Sequence, residues 1–307
     1  MKLNENFNQF EQNIKLTINQ KEDAKKKYNS VCEKLHNNYY ENEYTGKTKF
    51  LVGSYGKHTN IRPARDIDVI FILPYGIYLN YQNSTANSPS ALLQKIRTIL
   101  KERFPNTEIS SSEKVVVVKF SDSNHNVEVI PAFYEENRGT FIIPNSVNGG
   151  SWEREDYKSE INQLDDLNKK TKGNAKKIIR FIKKWTDTIF PNIKTYKIEK
   201  HIISFFENNL KNQENEDMST LVRDFFEYFL ENDYENKNIV QIALDRSQIK
   251  TAFNRAEKAC IFEKENNLEK ATEEWRKIFG IDFPTSVPID NDSEKEIINP
   301  PKPWFGD

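Results

Sequence analysis

At 307 residues the chain exceeds the usual span of a single domain, about 100–200 residues, so length alone favours two lobes. Hydrophobic residues at 36%, aromatics at 12%, and only 10 Gly and 12 Pro exclude collagen-like, mucin-like and wholly disordered chains. Lys and Arg, 45 in all, balance 46 Asp and Glu, and residues 1–150 carry 19 basic against 16 acidic side chains, so neither half is the polycation that tracks a long nucleic acid or an anionic membrane.

Apolar positions Phe7, Phe10, Ile14, Ile18, Ala24, Tyr28, Val31 and Leu35 recur at helical steps, which predicts an amphipathic helix, broken near Gln20, that braces the fold. Phe50, Leu51 and Val52 predict a strand entering a Gly-Ser turn. Residues 67–73 predict an apolar strand stopped by Pro74, whose ring cannot extend a ladder. Leu92, Ile96, Ile99 and Leu100 stripe a helix over 91–104. Residues 115–120 and 127–132 predict two strands joined by the turn formers of 121–126, and 140–143 a third. After the Gly/Asn-rich loop 145–152, which either rims a pocket or only turns the chain, the periodicity becomes helical from about Tyr157. Helices are predicted over 174–190, 198–210, 218–232 and 246–278, the last with a break at Asn266-Asn267. The expected architecture is α+β: a mixed-sheet lobe (1–165) facing a helical lobe (166–287), with 288–307 a Pro-rich, acidic, extended tail.

The stretch LVGSYGKHTNIRPARDIDVIFIL, residues 51–73, carries the chemistry. Residues two apart on a strand share a face, so Asp66 and Asp68 set two carboxylates side by side at the mouth of an apolar strand. Their repulsion is relieved by a divalent cation, and hard oxygen ligands suit Mg²⁺, which completes its shell with substrate phosphates. Gly53 lets backbone approach a triphosphate, and Ser54 adds a hydroxyl donor. Strand, Gly-Ser turn and paired aspartates in this order describe a site for a nucleoside triphosphate and metal.

Gly53-Ser54 followed by Asp66-Ile67-Asp68 resembles the signature of the polymerase-beta-type nucleotidyltransferase superfamily. The fuller pattern, with Tyr55, Gly56, Lys57, Thr59 and Arg62, is similar to that of oligoadenylate synthases, cyclic GMP-AMP synthase and bacterial cyclic-oligonucleotide synthases of anti-phage signalling. Ile178 to Trp185, Tyr196 to Glu199 and Trp275 to Gly280 extend the resemblance over most of the chain. It implies a polymerase-beta-like catalytic lobe, a helical second lobe, and a third metal-binding acid in an apolar–Asp–apolar–apolar–Pro pattern. Val127-Glu128-Val129-Ile130-Pro131 matches with Glu in place of Asp. Its extra methylene displaces the carboxylate by more than about 1 Å unless the backbone compensates, and an error of that size can cost about 10²-fold in rate. The rival reading makes Glu128 an exposed strand residue, with Asp122 or another acid in its place.

The resemblance further implies Asp66, Asp68 and Glu128 as ligands to two Mg²⁺ ions (or Mn²⁺), Gly53, Ser54, Arg62 and Lys183 as triphosphate contacts, and Tyr196 as a ring stacked on a nucleobase. Arg62 and Arg65 are alternatively braces of their loop, Tyr196 a core residue, and Lys176 and Lys184 a solvated face. The implied activity joins ribonucleoside triphosphates into a cyclic dinucleotide or trinucleotide second messenger and releases pyrophosphate, with operon-encoded regulators or effectors as partners and no long nucleic acid required. A linear or RNA-end nucleotidyltransferase and a catalytically impaired nucleotide-binding regulator are the rivals. Cys32 and Cys260 are too few for a disulfide framework, and the four His show no zinc spacing. The first ten residues lack a leader's apolar core and no apolar run is long enough to span a bilayer, so a cytoplasmic protein with no membrane association is expected.

Overall fold

The N-terminal apolar stripe folds as two helices. In the computed structural model, which describes residues 3–82, 87–121, 125–189, 195–209, 217–232 and 246–285, α1 (Leu3–Ile14) and α2 (Ile18–Tyr39) are separated at Lys15, Leu16 and Thr17. The Thr17 hydroxyl accepts from the Gln20 N–H at 3.2 Å, while the Gln20 side chain accepts from the Thr17 N–H at 2.9 Å, a reciprocal capping box. Gln20, where the periodicity lapses, is therefore part of the second helix's N-terminal cap, and the break lies just before it. The break also sorts the stripe: Phe7, Phe10 and Ile14 pack among helices with Phe181, Trp275 and Phe279, whereas Ala24, Val31 and Leu35 pack on the sheet.

The sheet lobe runs β1 (Lys49–Leu51), α3 (Gly53–Gly56), β2 (Ile67–Ile72), α4 (Tyr75–Gln82), α5 (Ser88–Arg103), β3 (Glu108–Ser112), β4 (Val115–Lys119), β5 (Asn126–Glu135), β6 (Thr140–Asn145) and β7 (Ser151–Glu155). Strand order is β1-β2-β5-β4-β3, with β6 on β5 and β7 on β6. β2 and β5 run parallel and the other pairs antiparallel, which makes the sheet mixed, as expected. Alternation along β2 sends Ile67, Val69 and Phe71 into the core beneath α2 and α5, and Ile70 into a separate small core with Val52 and Ile130. Asp68 and Glu128, by the same alternation, lie on the face that α2 and α5 leave uncovered. Loop 145–152 turns the chain between β6 and β7 through a 3₁₀ turn over Val147–Gly149.

Helices α6 (Tyr157–Lys170), α7 (Asn174–Ile189), α8 (Thr195–Asn209), α9 (Met218–Asn232), α10 (Arg246–Lys264) and α11 (Leu268–Phe279) form the helical part. Ile178, Ile179, Phe181, Ile182 and Trp185 of α7 are all buried in its core, together with Leu164 and Leu167 of α6. The predicted break in the last long helix is present: Asn266 is left-handed at φ 58°, and the Asn267 side chain caps α11 by accepting from the Lys270 N–H at 3.2 Å. Among the described residues no helix is long and apolar enough to cross a membrane. Asp122 and the tail, 288–307, lie outside the described residues.

Candidate active site

β1 ends at Leu51 and the chain turns at Gly53 into the single turn of α3. Gly53 has φ +57°, and a Cβ built there would stand 2.0 Å from Asp68 Oδ2, so this backbone can rest on the carboxylate only as glycine. The Val52 N–H donates to the Asp68 carbonyl at 3.0 Å and ties the turn to β2. Across the parallel pair, Asp68 is in register with Glu128. Asp66, just ahead of β2, accepts from Asn126 Nδ2 at 2.8 Å. Glu128 is not the exposed strand residue of the rival reading: it is half-buried and level with Asp68 on the neighbouring strand, while Asp122 lies outside the described residues.

Burial, reinforced by repulsion from Glu128 and Asp66, pushes Asp68 up to about 7, against the attraction of Lys183 and Lys57. Burial and Asp66 push Glu128 up as well. A bound cation would reverse both shifts. Among the described residues no three carboxylate, His or Cys side chains are closed into a metal cage. One oxygen of Asp66 is oriented by Asn126, and Asp66 is close enough to Asp68 and Glu128 to raise both. That set fits Mg²⁺, which takes one or two carboxylates and fills its shell with water and phosphate oxygens.

Positive charge enters from α7. Lys183 is buried, with Nζ 2.9 Å from Thr59 Oγ1 and 2.5 Å from Glu199 Oε1. Glu199, on α8, also pairs with Lys57 at 3.2 Å and accepts from Thr59 Oγ1 at 3.1 Å. Burial raises the Glu199 carboxyl, but Lys183 and Lys57 outweigh it and hold the group below its ordinary range. Lys57 pairs with Glu160 as well, at 3.3 Å, so the two lysines are matched by two carboxylates. Ser54, Thr59, Arg65 and Lys183 line a cavity of about 50 Å³.

The structure therefore brings Gly53, Ser54, Asp66, Asp68, Glu128 and Lys183 together, and corrects Arg62. Its guanidinium donates to the backbone carbonyls of Gln12 and Asn13, pinning the loop to the end of α1, so it braces and does not reach the cavity. Arg65 lines the cavity instead and pairs with Asp187. Tyr196, in the first turn of α8, is half exposed, and so is not a core residue. Lys176 and Lys184 are paired with Asp165 and Asp282, so neither is a freely solvated charge. Sequence reasoning missed Asn126, although it stands two residues before Glu128 and shares its face. It gave no role to Lys57, Thr59 and Glu199, whose meeting depends on packing between α3 and α8.

Fold and site together define a nucleotidyltransferase-like protein with a carboxylate set at the mouth of a central strand pair. Residues 1–168 match the Second Messenger Oligonucleotide or Dinucleotide Synthetase domain, and the chain belongs to that family. It is 25% identical over 284 residues to a probable cyclic nucleotide synthase of Bacillus cereus (strain VD146), covering 79% of this chain and 84% of that protein. Its fold is similar to that of E. coli MS115-1 CdnC, solved with ATP (TM-score 0.62) and in a complex with HORMA-deltaN (TM-score 0.64), each at 16% identity over 91% of this chain and 98% of that one. Vibrio cholerae DncV cyclic AMP-GMP synthase, solved with the linear intermediate 5′ pppA(3′,5′)pG, matches with a TM-score of 0.59 at 13% identity over 77% of this chain and 70% of that one.

Proposed function

We propose that the protein is a cytoplasmic, Mg²⁺-dependent synthase that joins ribonucleoside triphosphates into a cyclic oligonucleotide, a cyclic dinucleotide in the first instance, as a second messenger of anti-phage signalling. The observation that carries this is the register of Asp68 with Glu128 beneath the Gly53-Ser54 turn. A ribose hydroxyl oxygen bonds to the α-phosphorus of a second nucleotide, the bond to the β-phosphate oxygen breaks, and pyrophosphate leaves. A second such step closes the ring. Mg²⁺, when bound, stabilises charge on the attacking and leaving oxygens.

The chain's own groups do the rest. Asp66, Asp68 and Glu128 would hold the ions, and a carboxylate of this set stands ready to accept the proton of the attacking hydroxyl. The α3 turn offers backbone N–H groups and the Ser54 hydroxyl to the triphosphate, and the ammonium groups of Lys57 and Lys183, held by Glu160 and Glu199, attract its negative charge. Tyr196, exposed at the start of α8, stacks on a base. The HORMA-deltaN complex of E. coli MS115-1 CdnC supports an operon-encoded regulatory partner here.

The test incubates the full chain with all four ribonucleoside triphosphates and Mg²⁺ and identifies products by mass after phosphatase treatment. A phosphatase-resistant cyclic product supports the reading, and a phosphatase-sensitive ladder makes the protein a linear synthase. Absence of product under any metal makes it a nucleotide-binding regulator. Asp66→Asn with Asp68→Asn is expected to abolish product and the Mg²⁺-induced rise in melting temperature with unchanged circular dichroism. Undiminished synthesis by that variant overturns the site.

A further inference from the structure

A second cavity, of about 700 Å³, opens between α2, the loop after α3 and the first turns of α7. It is within the size range of small-molecule sites, and Asp66, Asp68, Glu128 and Lys183 do not line it. Its wall gathers Lys15, Lys21, Lys25, Lys176, Lys177 and Arg180 against one acid, Glu11. That acid is already engaged by Lys15 at 2.8 Å and by Arg180. Lys176 is paired with Asp165. Lys21, Lys25 and Lys177 have no ion-pair partner among the described residues.

In a chain whose net charge is −1, such convergence concentrates positive potential in one concavity. Tyr55 and Arg180 also line the cavity, and the Tyr55 hydroxyl and Arg180 Nε, both buried, have no hydrogen-bond partner among the described residues. The unpaired lysines come from both cores. Lys21 and Lys25 lie on α2, which packs on the sheet, and Lys177 lies on α7. The wall is also continuous with the carboxylate site. Tyr55 follows Ser54 in α3, Arg180 Nη1 donates to the His58 carbonyl at 3.0 Å, and the next residue, Thr59, receives Lys183.

The geometry points to a second ligand site, in which a compact, multiply charged anion of about nucleotide size bridges α2 and α7 and alters the rate at the carboxylate site through α3. Binding is independent of the function proposed above, and only the effect on rate rests on it. A concave wall of converging lysines suits a small anion. A duplex nucleic acid needs an extended basic surface that follows successive phosphates.

The test uses isothermal titration of the full chain in EDTA, with inositol hexakisphosphate and benzenehexacarboxylate as probes, so that metal-dependent binding at the carboxylates is silent. One site per chain is expected. Binding of both probes assigns polyanions in general, and binding of the hexaphosphate alone assigns phosphate esters. Lys21→Glu, Lys25→Glu and Lys177→Glu together, all at exposed or half-exposed positions, are expected to weaken binding at least tenfold with unchanged circular dichroism. Unchanged affinity in that variant, absence of binding by either probe, or binding only of a 24-base-pair duplex overturns the site. With nucleotides and excess Mg²⁺, the hexaphosphate is expected to change pyrophosphate release by the wild type and not by the triple variant. Binding without a rate change overturns the coupling, whereas loss of synthesis under every condition refutes the proposed function and leaves the titration result standing.

Discussion

Gly53→Ala separates the turn's effect on chemistry from its effect on folding. The added Cβ would fall 2.0 Å from Asp68 Oδ2, where carbon–oxygen contacts of 3.0 Å are already very rare, so the carboxylate or the turn must move by about 1 Å or more. A displacement of that size is worth about 10²-fold in rate. The backbone adds its own cost: at φ +57° an alanine loses about 1–2 kcal/mol relative to an unstrained position. In a chain of this size, that lowers the melting temperature by only a few degrees, at roughly 2–4 °C per kcal/mol. The assay pairs Mg²⁺-dependent pyrophosphate release with a thermal melt. Gly76→Ala in α4, where an added Cβ meets nothing within 4 Å, is the control and is expected to be neutral or slightly stabilising. A Gly53→Ala protein that keeps its rate within about threefold of wild type refutes the argument that this turn rests on Asp68.

Glu128→Asp is expected to preserve or raise the rate, and Glu128→Gln to abolish it, as measured by pyrophosphate release at saturating nucleotide; equal activity of the two variants contradicts a ligand role. Glu199→Gln strips the counter-charge from buried Lys183 and from Lys57, which keeps only Glu160 at 3.3 Å, and should cost about 3–5 kcal/mol in a denaturant melt. Because the folded Glu199 pKa lies below its ordinary value, the stability it contributes is present above about pH 4.5 and is lost as pH falls through the folded value. The wild type should therefore lose more stability than Glu199→Gln on going from pH 5 to pH 3. Arg62→Ala should lower the melting temperature through its lost bonds to Gln12 and Asn13 while leaving the nucleotide KM unchanged; a raised KM with an unchanged melt would return Arg62 to the site. Tyr196→Ala should raise that KM about 5- to 100-fold, with Tyr196→Phe restoring it, as base stacking requires.

The acid set was legible because it depends on period two, which is fixed locally: Asp68 and Glu128 each sit in an apolar strand that reads clearly. That they meet in register was not legible, since parallel pairing is a non-local fact. Elements with weak patterning went unread. β3 buries only Ile109, β7 is the charged segment Ser-Trp-Glu-Arg-Glu, and α4 has no separated apolar face. Arg62 shows the limit of spacing arguments: two arginines three residues apart on one loop can face opposite ways, and only the placement of α1 decides which is drawn off by backbone carbonyls. Glu199 was visible merely as part of a pattern, because two of its partners, Lys57 and Thr59, lie 142 and 140 residues away.

The capping box at Thr17 divides the N-terminal stripe between two cores, and the chain crosses between those cores again along α6. Two covalent crossings therefore join the halves. Lys15 and Leu16 of the first crossing, and Asn168 at the end of the second, meet in the wall of the lysine-lined cavity. The cavity therefore sits where the two crossings meet, and an anion that bridges its wall would stiffen that joint. The carboxylates and Lys183, carried by different halves, would register even a slight angular change as a change in their separation.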